Sequence, residues 1–166
     1  MPPSEVTPME TRELFKKIAA DSLPGKVFQF FIPIVPQAKQ SVRFGLKRAY
    51  TCPKKRAYAA ALKEALAKFS LQRSQVIKGL VKVRIAFAFP PTVGLKKKLV
   101  KRDAWRAHSG KPDADNLQKP VLDALQGTVI ETDAAIFDLH VVKIRYRTPG
   151  IFLEITQMTF WYEVAE

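Results

Sequence analysis

The chain has 166 residues, the length of one domain, and its 47% apolar content excludes global disorder. Its 28 Lys and Arg against 15 acids give a formal net charge of +13, which points to nucleic acid ahead of an anionic membrane surface. Cys52 is the sole cysteine, so no intrachain disulfide forms, and no run reaches the ~20 apolar residues of a membrane span. The N-terminus lacks the basic and apolar regions of a secretory signal, so the expected location is cytoplasmic.

Residues 1–25 are polar and rich in proline and read as an arm, with a short helix possible at Thr11–Ala20. The remaining 26–166 form one domain. Val27–Val35 is rich in Phe, Ile and Val and reads as a strand, with Pro33 placing its end at an edge. A basic loop follows from Pro36, ahead of an amphipathic helix over Lys54–Leu71, where Tyr58, Leu62, Ala65, Leu66 and Phe69 recur at helical spacing. Leu80–Phe89 alternates, with Val81, Val83, Ile85, Phe87 and Phe89 on one face of a strand. Pro90-Pro91 stops it. Thr92–Pro112 reads as a second basic loop. Asn116–Leu125 reads as a short helix capped by Asn116, with Pro120 in its first turn, where proline costs little. Phe137–Arg147 and Ile151–Tyr162 read as strands joined in a hairpin around Thr148-Pro149-Gly150. The expected architecture is α+β or α/β, a mixed sheet of about four strands with two main helices. The apolar strand faces exceed what two helices readily cover, which points to a second copy of the chain.

Acids stand out in so basic a protein. Asp113 and Asp115 lie in Lys111-Pro112-Asp113-Ala114-Asp115-Asn116-Leu117-Gln118-Lys119, and Asp133 follows after a short return. Carboxylates repel a polyanion unless something bridges them to it. Hard divalent ions such as Mg²⁺ take carboxylate oxygens and phosphate together, and paired metals clamp both oxygens of a phosphoryl displacement. On a helix, Asp115, Lys119 and Asp123 share one side, while Leu117, Val121, Ala124 and Leu125 face the core. An isolated Asp-x-Asp also caps helices and fills turns, and Asp123 reads as a surface partner of Lys119. The segments Pro36–Arg56 and Thr92–Pro112 together carry fourteen basic residues against one acid, Asp103. Lys39, Arg43, Lys47, Arg48, Lys54, Lys97, Lys98 and Lys111, together with Lys143 on the later strand, are the expected phosphate contacts. Phe44, Tyr50 and Trp105 can stack on bases or pack against the sheet. His108 and His140 read as surface and structural residues.

The segment Lys111–Lys119, with Leu122-Asp123-Ala124-Leu125 and Thr132-Asp133-Ala134-Ala135-Ile136, resembles the RusA family of Holliday junction resolvases. The basic loop ending in Tyr50-Thr51-Cys52-Pro53-Lys54 and the strand segment Val141-Val142-Lys143 agree with it. The resemblance spans roughly Val27 to Tyr162. It implies a homodimeric α/β endodeoxyribonuclease that uses Mg²⁺, with Mn²⁺ as a substitute, and nicks four-way DNA junctions symmetrically in recombination and repair. It implies a nucleoid or phage setting in a bacterial host. Asp113, Asp115 and Asp133 match the family's metal-binding acids and Lys119 its essential lysine. Thr132 is a departure, because members commonly carry an acid there. The rival expectations are a flap or fork nuclease of the same chemistry and a non-enzymatic basic DNA-binding protein.

Overall fold

The computed structural model describes residues 25–38, 43–44, 49–50, 53–71, 76–102 and 104–158. The N-terminal arm, Lys39, Lys47, Arg48 and the end of the last expected strand lie outside these residues.

β4 (Val81–Phe89) sits at the centre of a five-stranded sheet. Its odd-numbered side chains, Val81 to Phe89, are all buried, as the alternation requires. β7 (Gly150–Met158) runs antiparallel along one side of it, and β1 (Gly25–Ile32) pairs antiparallel with β7 at the sheet edge. β1 ends one residue before Pro33, which cannot donate to a ladder. β6 (Ile136–Arg145) runs parallel along the other side of β4, and the two-residue β5 (Arg106–Ala107) closes that edge. β2 (Arg43–Phe44) and β3 (Ala49–Tyr50) form a separate small ribbon inside the first basic segment. The sheet is mixed, as expected.

The expected hairpin of the last two strands does not form, because β4 lies between β6 and β7. Both neighbours reach the same end of β4: Phe89 pairs with Arg145, and Ala88 with Gly150. The chain therefore passes over the β4 terminus, where Pro90 has already ended the ladder. Tyr146 N donates to Phe89 O at 3.1 Å, and Arg145 Nη1 donates to Pro90 O at 2.8 Å. A strand buried this thoroughly belongs in the middle of a sheet, and that requirement outweighs the tendency of consecutive strands to pair.

Two helices cover one face. α1 (Pro53–Leu71) brings Tyr58, Leu62 and Leu66, and α3 (Ala114–Leu125) brings Leu117, Val121, Ala124 and Leu125. They meet Phe28, Phe30, Ile32, the odd face of β4, Ile151, Leu153 and Ile155 in one core. Each fully buried Leu or Ile contributes roughly 1.5–3 kcal/mol. The faces expected to need a partner are thus covered within one chain. The Tyr58 hydroxyl accepts Gln37 N at 3.2 Å and so fastens the entrance of the first basic segment. Burial raises its pKa above 10.0. The unfolded phenol therefore ionises first, and this contribution is lost as pH rises through 10 toward the folded value.

A third helix, α2 (Val93–Arg102), replaces much of the expected second loop. Thr92 O takes the N–H groups of Leu95 and Lys96, each at 2.9 Å, and Leu99 is buried. Lys96, Lys97 and Lys98 are exposed, and Val93 is 94% exposed.

α3 begins at Ala114 with Asp113 in the cap position, two residues before the expected start. Pro120 is therefore inside the helix, and the Asn116 carbonyl lacks the N–H that residue 120 would normally supply. Pro120→Ala should raise stability by about 1–3 kcal/mol. A midpoint shift in urea checks this, and an unchanged midpoint would show that the helix has already absorbed the proline. Gly127, at φ 73°, ends the helix in a conformation that suits glycine, and its N–H donates to Ile130 O at 2.8 Å.

Candidate nuclease site

The acids sit where α3 begins and where the chain returns to β6. Asp113 occupies the cap position with an extended backbone, φ −71° and ψ 148°, yet its side chain caps no helical N–H. A carboxylate at this position normally accepts from the second or third helical amide. Asp113 thus holds the cap position without making the capping bond, which leaves its carboxylate unused by the helix. Asp115 lies in the first turn, where the helix dipole favours an anion. Lys119 stands one turn on, with Nζ 3.6 Å from Asp115 Oδ2, both side chains more than half exposed. Such an exposed pair is worth only about 0.3–0.5 kcal/mol, so Lys119 is readily given up to a stronger anion.

Asp133 opens a single 3₁₀ turn, Asp133–Ala135, which packs against α3. Thr132 caps this turn, its Oγ1 accepting Ala134 N at 3.3 Å. The residue that departs from the family pattern thus helps shape the turn that carries Asp133. Asp113, Asp115 and Asp133 are all exposed. As placed, no three acidic, histidine or cysteine side chains converge to hold a metal ion among the described residues. The donor set itself, carboxylates with no thiol or imidazole among them, suits a hard oxygen-seeking ion.

The basic residues fall into two groups. Lys54 lies in the first turn of α1, a turn without any acid. Positive charge there opposes the helix dipole, and a bound phosphate would relieve the conflict. Lys97 and Lys98 project from α2, and Lys111 stands two residues before Asp113, all exposed. Arg43 lies on β2. Lys143 is engaged elsewhere: its Nζ donates to Gly110 O and Pro112 O, each at 2.8 Å. His108 stacks at a tilt on Phe89, ring centroids 4.8 Å apart, and its Nε2 lies 3.3 Å from Lys111 O. Sequence reasoning missed this arrangement, because the partners lie 31 and 33 positions apart. Trp105 is 65% exposed and borders an open cavity of about 520 Å³ with Ala107, Val142 and Ile144.

Comparison with family models gives a match to the endodeoxyribonuclease RusA over residues 32–156, most of the chain. The chain belongs to the RusA endodeoxyribonuclease family. Comparison with individual curated proteins gave no match. RusA membership makes the chain an endonuclease that acts on DNA, which accounts for the net charge of +13. The bounds of the RusA match, residues 32–156, enclose α3 and the 3₁₀ turn, so Asp113, Asp115, Lys119 and Asp133 all lie between them.

Proposed function

We propose that this protein resolves four-way DNA junctions by paired, metal-dependent hydrolysis of phosphodiesters. The observation that carries the reading is Asp113: an acid at the head of a helix, beside Asp115 and the Asp133 turn, that does no capping work in a chain of the RusA family. Asp113, Asp115 and Asp133 would hold the ion, with Mg²⁺ the natural choice and Mn²⁺ a substitute. When bound, it lowers the pKa of water and neutralises charge on the scissile phosphate. Lys119 leaves Asp115 and donates to a phosphate oxygen, where charge develops. Lys54, Lys97, Lys98 and Lys111 bind the flanking phosphates, as do Lys39, Arg43, Lys47 and Arg48 of the first basic segment. The deciding experiment incubates the protein with a synthetic four-way junction with and without Mg²⁺, beside flap and fork substrates. Paired nicks on the junction support the reading, and preferential cutting of flaps or forks replaces it. Binding without cleavage at any Mg²⁺ concentration rejects it.

Resolution takes two cuts, and one chain carries one set of acids. A twofold dimer supplies two sites to a substrate of matching symmetry. The sheet face opposite the helices offers the surface. It carries Val27, Phe31, Val142, Ile144 and Phe152 together with the ion pairs Lys82–Asp138 at 2.9 Å and Arg84–Glu154 at 3.4 Å. Mixing wild-type and Asp115→Asn protein should yield dimers that nick one strand and spare the opposing one. A chain that sediments as a monomer on DNA yet resolves junctions fully excludes this arrangement.

A further inference from the structure

Three successive backbone carbonyls lead into Asp113, and side chains hold all three. Lys143 Nζ takes Gly110 O and Pro112 O, each at 2.8 Å, and His108 Nε2 lies 3.3 Å from Lys111 O between them. Both tethers come from firm structure. Lys143 stands on β6 opposite Phe87, so its side chain leaves the sheet on the helix-covered face and reaches the turn from below. His108 N donates to Lys143 O at 3.0 Å, which binds the two tethers to each other, and the His108 ring rests on Phe89.

We infer that Lys143, assisted by His108, is a positioning residue for Asp113 and not a phosphate contact. An ammonium group has three protons to donate. Two carbonyls at 2.8 Å take two of them, and the half-buried side chain holds the group against the turn rather than out toward solvent. The turn carries no regular secondary structure of its own between β5 and α3, so these bonds hold its three carbonyls, while Asp113 O accepts Leu117 N at 3.1 Å and joins the turn to the helix. Groups that orient a ligand from behind typically govern metal affinity by about 10–100-fold. The inference rests on the metal reading above.

The test uses full-length protein with Lys143→Met, which keeps the length and removes the donors, and Lys143→Gln as a second variant should the first fail to fold. Mn²⁺ affinity is measured by calorimetry without DNA. Junction affinity is measured without metal across a salt series. The expected result is Mn²⁺ binding about 10–100-fold weaker than wild type, with junction affinity and the slope of log K against log[salt] unchanged. A slope smaller by about 0.9, the loss of one phosphate contact, with Mn²⁺ affinity intact would overturn the inference. Equal Mn²⁺ affinity in wild type and variant overturns it alone, leaving the metal reading standing. Wild-type protein that binds no Mn²⁺ overturns the metal reading first and this inference with it. His108→Ala should weaken Mn²⁺ binding by a smaller factor, because it frees one carbonyl where Lys143→Met frees two.

Discussion

Asp113→Asn, Asp115→Asn and Asp133→Asn should each lower junction cleavage by roughly 10³-fold or more while leaving binding in place. Each change keeps the shape of the side chain and removes the charge that would hold a cation in the proposed site. The charge stabilisation a bound ion supplies is several kcal/mol, and about 1.36 kcal/mol is tenfold in rate. Binding should survive and can tighten, because each substitution also removes a negative charge from a surface that meets phosphate. The measurement is single-turnover cleavage of a synthetic junction beside a gel-shift titration of the same protein. Near-normal cleavage by any one variant removes that residue from the site. Loss of binding in step with cleavage would mean that the acids serve the fold, a role the free Asp113 side chain argues against.

Junction affinity should fall by roughly 10³–10⁵ between about 50 and 200 mM salt if six to ten phosphates are neutralised. The candidate contacts are numerous enough: Lys54, Lys97 and Lys98 are exposed on helices, Lys111 is exposed two residues before Asp113, and further basic residues lie in 39–48. Each Lys→Ala change at Lys47 or Lys97 should flatten the slope of log K against log[salt] by about 0.9. The two should add, because they sit on separate segments of the chain. An unchanged slope in the combined variant would move the DNA surface away from both basic segments.

Local patterns made much of this fold legible. The alternation of Val81 to Phe89 announced a strand, and all five side chains are buried. The spacing of Leu117, Val121, Ala124 and Leu125 announced the core face of α3, and those residues are its buried set. What failed was longer in range or weaker in signal. The order of β4 between β6 and β7 depends on which strand most needs burial on both flanks, a comparison across the whole chain. Helix α2 hid behind its lysines, because Leu95 and Leu99 give a sparse inward signal beside Lys96, Lys97 and Lys98, and Val93 is exposed. The start of α3 was misplaced because Asn116 is a good cap by type, whereas Asp113 takes the position without capping. The acids themselves were visible as a charge anomaly. The tether from Lys143 was not, since a basic residue on a strand reads the same whether it meets a phosphate or a carbonyl.

The parallel pairing of β4 and β6 also bears on when the proposed site can form. Val83 pairs with Leu139, a separation of 56 positions (139 − 83), and Asp113, Asp115 and Asp133 all lie within the loop that this pairing closes. Closing so long a loop costs chain entropy before any contact across it repays that cost. Asp113 and Asp115 are local neighbours at the head of α3, whereas Asp133 comes beside that helix only through the 3₁₀ turn that leads into β6. A chain opened by mild denaturant should therefore lose the proposed site together with the β4–β6 pairing. The proposed site thus forms no earlier than the long-range pairing on which the placement of Asp133 depends.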